Sequence, residues 1–583
     1  MKKRNILRLL LAVFTLAILL SAVSCGPKTP VDPGPGKDEE PETKVTIGGK
    51  SIANHVIVYP EGQSALAESV QSAFAARAGV ALPTKTTAPE DGKMIRLCID
   101  TGMPQRSYGF YVQSRTLTIS APKKELLSGA VELFKTKLNE LEGEKVDLSN
   151  SFSANVIKTD GEAVSYQTAT SAKLIGESDK NPLSYAVGEK ATFTFAAVSG
   201  EKLLSVPYFH VETWSEATGK KTDEYVDGSK GYFEYSVLNF NREGYFYFKV
   251  NACDQSKNKI SIFTATAEEN EQFVGGIAFG FADITPAAQT PDSFDSYWNT
   301  VVDEIKAQSV SLKLTPVSSS KTGYLAYYWQ TPTGGKNKIE DNIAAGYLTF
   351  PADASAENKI GLKICFRGYD GTIPLESPSY QENTAVLVVA SHSINQEKAK
   401  SDTGYYAKQK MRITNNYVKV DYFREMIKRD LFGARFLIEY FGENGNNYWD
   451  GETFEVSGGS MGAMQSTAVA ALTKNVTGVD VSLLNISIPW MCDVKSASIG
   501  RRPRTWPSNI VDFENFDEAN FAHLMTCKVK IYAALGDRTC PASSVTAFYN
   551  QLQCEKTITF EQNTSHAGGV GGGKYQLSAP SAQ

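Results

Sequence analysis

Short apolar β runs alternate with helical stretches from about residue 286 onward, and this alternation constrains the fold more than any other feature. Leu362 to Phe366, Ala385 to Val389, Thr453 to Val456, Val529 to Ala533 and Thr557 to Phe560 read as strands. Tyr417 to Tyr440 and Met461 to Leu472 read as helices, and Phe294, Trp298, Val301, Val302 and Ile305 fall at helical spacing. Strands this short and apolar need cover on both faces. The expectation for 286–583 is an α/β domain with a mostly parallel sheet and helices on both faces.

Two other textures precede it. In 45–152, the strands Val56 to Val58, Met94 to Ile99, Tyr108 to Val112 and Thr116 to Ser120 mix with two amphipathic helices. One helix carries Leu66, Val70 and Phe74; the other carries Leu127, Ala130, Val131, Phe134 and Leu138. This reads as a small α/β accessory domain, whose layout resembles units found ahead of some glycoside hydrolases. In 153–285, aromatic and β-branched runs (Thr192 to Phe195, Tyr208 to Trp214, Tyr232 to Val237, Tyr245 to Val250) are separated by Gly and Asn/Asp clusters, the pattern of an antiparallel β-sandwich. His210 reads as a half-exposed sheet residue.

The chain begins with Lys2, Lys3 and Arg4, then an apolar run from Leu9 to Leu20, then Ser21-Ala22-Val23-Ser24-Cys25. That is the layout of a secretory signal over 1–24. The cysteine makes it resemble a bacterial lipoprotein signal, which implies lipidation of Cys25 and a cell-envelope location, on the outer membrane or cell surface. A plain signal peptide or a membrane anchor is the alternative. Residues 25–44, with five prolines and the cluster Lys37-Asp38-Glu39-Glu40, cannot bury a core and read as a flexible linker. The full chain carries a net charge of -5, and loss of 1–24 removes four basic residues and no acidic one. This balance argues against nucleic acid as a partner. Five histidines with no pair at ligand spacing, and eight cysteines with no C-x-x-C, give no metal site. Seven cysteines remain after Cys25, an odd number, so no complete disulfide framework is indicated; Cys540–Cys554 and Cys527–Cys540 stay open as pairs.

The chemistry concentrates in Phe454-Glu455-Val456-Ser457-Gly458-Gly459-Ser460-Met461-Gly462-Ala463, a G-x-S-x-G between a strand and a helix. Small residues on each side permit a tight turn that exposes Ser460. The Met461 amide, at the helix N-terminus, is placed to stabilise an oxyanion. An unreactive glycine-rich turn has the same spacing. A serine nucleophile needs a base and a carboxylate to orient it. Of the two histidines that follow, His566 lies in a loop just after a strand, whereas His523 lies in a mixed helical stretch. Asp537 follows the strand Val529 to Ala533; Asp512, Glu514 and Asp517 read as surface charges.

Four blocks stand in order: Gly458-Gly459-Ser460-Met461-Gly462, Ile488-Pro489-Trp490-Met491-Cys492-Asp493, Asp537-Arg538-Thr539-Cys540-Pro541 and His566-Ala567-Gly568-Gly569. Residues 286 to 575 thereby resemble the acetyl xylan esterase and cephalosporin C deacetylase family of α/β hydrolases. The resemblance implies nucleophile Ser460, acid Asp537, base His566 and an oxyanion hole from the amides of Met461 and Tyr369. It implies no cofactor or metal, and an acylated polysaccharide or oligosaccharide substrate, reached from a lipid anchor in the membrane. Three departures stand out. Arg367 replaces the usual histidine before Gly-Tyr, Met461 replaces a glutamine, and Ser391-His392-Ser393 stands where an arginine-glycine-glutamine-glycine segment belongs. His392 reads equally as a pocket residue or a strand-end structural one. A drifted hydrolase serving as a surface glycan binder is the alternative function.

Overall fold

A computed structural model describes residues 42–113, 115–238, 240–265, 271–309, 313–332, 343–369, 378–393, 402, 420–501 and 513–580. The expected signal segment, Cys25 and nearly all of the expected linker lie outside the described residues.

The first unit is built on a six-stranded mixed sheet. Its helices Ser64–Ala78 and Lys124–Glu140 bury Phe74 and Phe134 against each other, ring centroids 5.5 Å apart. Ser107–Gln113 and Thr116–Ala121 form the expected hairpin pair. The sheet also takes in Ala154–Ile157, from beyond residue 152, which pairs with Ser107–Gln113.

Next comes the sandwich. One sheet holds Lys173–Ser178, Ala191–Ser199 and Tyr232–Val237; the other holds Tyr208–Ser215, Lys221–Asp227, Gly244–Cys253 and Phe273–Phe279. Side chains alternate across a strand, so Phe246, Phe248 and Val250 meet Phe193, Phe195 and Phe233 inside. The opposite face of Gly244–Cys253 carries Tyr245 and Tyr247. That face is not solvated. All ten residues of the strand are buried, because its outer side packs on the C-terminal domain.

Among the described residues, the main sheet of the C-terminal domain has ten strands: β1 (Lys313–Pro316), β2 (Tyr324–Pro332), β3 (Ile343–Pro351), β4 (Ile360–Phe366), β5 (Thr384–Val389), β6 (Trp449–Gly459), β7 (Leu483–Ser487), β8 (Lys528–Ala534), β9 (Lys556–Glu561) and β10 (Lys574–Ala579). Their spatial order is β1-β2-β3-β5-β4-β6-β7-β8-β9-β10. The run from β5 to β9 is parallel, and antiparallel strands extend both edges. The sheet is therefore mixed around a parallel centre. Helices α1 (Phe294–Lys306), α2 (Val420–Phe441) and α3 (Met461–Thr477) pack on one another, and α4 (Ala542–Gln551) follows β8. One hydrophobic core runs through this domain and takes in Trp214, Tyr245, Tyr247, Ala278 and Phe281 from the preceding segment. The seven cysteines from Cys98 onward are all free thiols, so neither candidate disulfide forms.

Candidate active site

Strand β6 ends at Gly459 and α3 begins at Met461, so Ser460 occupies the turn alone. Its backbone lies at φ 55 and ψ -122, a region that a residue with a side chain adopts only when its surroundings enforce it. They do so here. The Ser460 N–H donates to the Ser487 carbonyl at 3.0 Å, and the Ser460 carbonyl accepts from Ala463 (2.9 Å) and Trp490 (3.3 Å). A Cβ on Gly458 would sit 2.3 Å from the Gly462 carbonyl oxygen, and one on Gly462 would sit 2.4 Å from that of Phe366. Both glycines of the motif are thus steric requirements of the turn.

Ser460 Oγ lies 3.0 Å from His566 Nε2, and His566 Nδ1 lies 2.8 Å from Asp537 Oδ2. A carboxylate only accepts, so Nδ1 carries the proton, and in the neutral ring Nε2 is left to accept from the serine hydroxyl. The other carboxylate oxygen of Asp537 accepts the N–H groups of Thr539 (2.8 Å) and Cys540 (2.7 Å). Asp537 is fully enclosed, while His566 keeps 24% of its side chain exposed. The structure thus brings together Ser460, Asp537 and His566. His523 is elsewhere, half-exposed and bonded to Asp295.

The loop carrying His566 is braced by the sandwich. Asn563 Oδ1 accepts from the Val274 N–H (3.3 Å), and its amide nitrogen donates to the Leu174 carbonyl (3.2 Å). Gln562 makes a paired contact with the Gly276 backbone, 3.0 Å to its N–H and 2.8 Å to its carbonyl.

On the other side of Ser460 runs Arg367-Gly368-Tyr369. A Cβ on Gly368 would lie 3.4 Å from the Gly459 carbonyl and 3.8 Å from Ser460 Cβ. The carbonyls of this segment are held. Gln465 donates to Arg367 at 3.2 Å, and His392 Nε2 lies 3.0 Å from the Tyr369 oxygen. A carbonyl accepts, so His392 Nε2 is the protonated nitrogen. Nδ1 then accepts from the Tyr422 hydroxyl at 2.6 Å. Burial pushes the His392 pKa down to about 4, keeping the ring neutral. Met461, the second candidate oxyanion donor, is the first residue of α3, where N–H groups have no intrahelical acceptor.

Two features escape a reading of the sequence. The segment after β7 holds Ile488, Met491 and Asp493 at positive φ. Asp517 fixes it by accepting the N–H groups of Asp493 and Val494, each at 2.8 Å. Asp517 is therefore buried, not a surface charge; backbone amides rather than water satisfy it. Glu514 is partly exposed and pairs with Lys495, and Asp512 lies outside the described residues. The second feature is Cys540, whose sulfur lies within 4.8 Å of ligand atoms of Asp537 and His566. A soft cation there would draw Asp537 and His566 away from the contact with Ser460.

Parts of the chain are similar to known proteins. Residues 508–577 match the model of the acetyl xylan esterase (AXE1) family. A curated relative, acetyl esterase Axe7A of Xylanibacter ruminicola, is 25% identical over 287 residues, which is 47% of this chain and 63% of the relative. The chain thus spans less than two thirds of that relative's length. Among solved structures, acetyl xylan esterase 1 from Thermoanaerobacterium sp. has 19% identity and a TM-score of 0.36, over 49% of this chain and 92% of that one. An acetyl xylan esterase from Paenibacillus sp. R4 has 16% identity and a TM-score of 0.39, over 49% and 93%. The segment similar to the acetyl xylan esterase family carries both Asp537 and His566.

Proposed function

We propose that the chain is a serine carboxylesterase that removes acetyl or other short acyl groups from acylated polysaccharide such as xylan. The observation that carries this reading is the continuous relay from Ser460 Oγ through His566 to Asp537. His566 Nε2 takes the hydroxyl proton as Ser460 attacks the acyl carbonyl. Asp537 holds the ring in the productive tautomer and stabilises the imidazolium. The amides of Met461 and Tyr369 receive the developing oxyanion. Collapse of the intermediate breaks the ester bond, and His566 returns its proton to the departing sugar hydroxyl. Water then attacks the acyl-enzyme, again losing a proton to His566, and acetate leaves with Ser460 restored.

Acetate release from acetylated xylan and from a small acetyl ester, by residues 26–583 and its Ser460→Ala variant, tests this. The variant should lose at least about a thousandfold in kcat on both substrates. Equal activity in the variant would overturn the assignment of Ser460. A folded wild-type chain that releases nothing and takes no fluorophosphonate label would be a glycan binder rather than an esterase.

A further inference from the structure

Between the sandwich and the acid loop lies a cavity of about 280 Å³. Its sandwich wall is the outer face of Tyr208–Ser215 and its neighbours, and its far wall is the segment from Asp537 to Pro541. Trp214 lies parallel to Tyr247, rings 5.1 Å apart and 10° from coplanar. Glu212 and Asp223 stand opposite each other across the strand pair on that face, and Arg538 lines the far wall.

We infer that this cavity is a subsite for a neutral pyranose unit of the polysaccharide chain other than the acylated unit at Ser460. The inference rests on the esterase reading. The chemistry of the lining points to this ligand. A pyranose ring offers an apolar face of C–H groups and a belt of hydroxyls. Trp214 and Tyr247 line the cavity while largely buried, so they offer a small apolar wall; flanked by carboxylates and a guanidinium, that wall matches both parts. The lining carries two acids, Glu212 and Asp223, and two bases, Lys221 and Arg538, beside the enclosed Asp537, so it does not select an anion. The volume lies near the lower bound of small-molecule sites, roughly 300 Å³. Its position matters equally. The far wall begins at Asp537, the residue that orients the base, so a glycan bound here is adjacent to the catalytic machinery. A small acetyl ester engages Ser460 without reaching it.

The test uses residues 26–583 with Trp214→Leu and Asp223→Ala. The Asp223 carboxylate is 70% exposed, so its removal does not threaten folding. Two quantities are read: the affinity for unacetylated xylohexaose, cellohexaose and mannohexaose by calorimetry, and the ratio of kcat/KM on acetylated xylo-oligosaccharide to that on a small acetyl ester. Each variant should weaken binding of at least one hexaose by about tenfold and lower the ratio by a similar factor. Wild-type affinity in the variants, or no binding of any hexaose by the wild type, overturns the subsite. An inactive wild type that still binds a hexaose through Trp214 and Asp223 would sink the esterase reading and leave the subsite standing.

Discussion

At the scale of single residues, groups outside the Ser460–His566–Asp537 relay brace the candidate site. His392 and Tyr422 form a buried chain ending on the Tyr369 carbonyl, next to the proposed oxyanion donor. His392→Ala should lower kcat on a small ester by about ten- to a hundredfold with little change in KM, because a misplaced donor costs transition-state binding. Tyr422→Phe should have a smaller effect in the same direction. With its pKa near 4, His392 stays neutral above pH 5, so neither variant should shift the pH-rate profile above that pH. Unchanged kcat in folded His392→Ala would refute the positioning role. Ser460, Asp537 and His566 were legible in the sequence because each sits directly after a strand in a distinctive local pattern. The His392–Tyr422 pair was not, since its two residues meet across 30 positions by packing alone. Asp517 misled for a related reason: a carboxylate among polar neighbours reads as solvated, and only the fold shows three amides aimed at it.

At the scale of elements, β4, β5, β6, β8 and β9 and helices α1, α2 and α3 follow from hydrophobic period with bounds moved by a few residues, whereas β1, β2, β3, β7, β10 and α4 were not legible. The mixed edges of the sheet were less legible, because strand direction is decided by connections and not by composition. Close strand contacts were invisible too. In β3, a Cβ on Gly346 would lie 1.7 Å from the Val388 carbonyl oxygen of β5. In β4, a Cβ on Gly361 would lie 3.0 Å from a methyl of Thr453, a side chain that can yield. Gly346→Ala should therefore cost about 3 kcal/mol or more, and Gly361→Ala under about 1 kcal/mol. Thermal melts of the two variants check this, and equal losses would show that the strands adjust freely.

At the scale of the whole molecule, buried acids join the sandwich to the C-terminal domain. Glu216 accepts from the Tyr245 N–H (2.8 Å) and from the Ser543 hydroxyl (2.7 Å); Glu177 accepts from the Gly573 N–H (3.2 Å) and from the Tyr575 hydroxyl. Burial outweighs these bonds and raises their pKa values to about 8 and about 7. The folded chain then holds protons that the unfolded chain has released, so stability falls as pH rises from 4.5 through 8. Asp493 (about 6) and Asp517 (about 7) act in the same direction. His392 opposes them only below its ordinary value of 6.5. The melting temperature should drop by several degrees between pH 6 and pH 9, and Glu216→Gln should flatten that decline. An unaltered slope in the variant would show that Glu216 is ionised throughout. None of this docking was legible, because the tyrosines of Gly244–Cys253 alternate as a solvent-facing strand would.

The brace on the His566 loop carries a consequence for how such a chain can change over time. Gln562 and Asn563, a few positions before the base, are fastened to backbone of the sandwich. Exchange of that module for another of similar shape would remove the fixed point from which His566 is aimed. What resembles a detachable appendage along the linear sequence is thus tied to the segment it braces, and recombination at residue 285 would separate His566 from its anchorage.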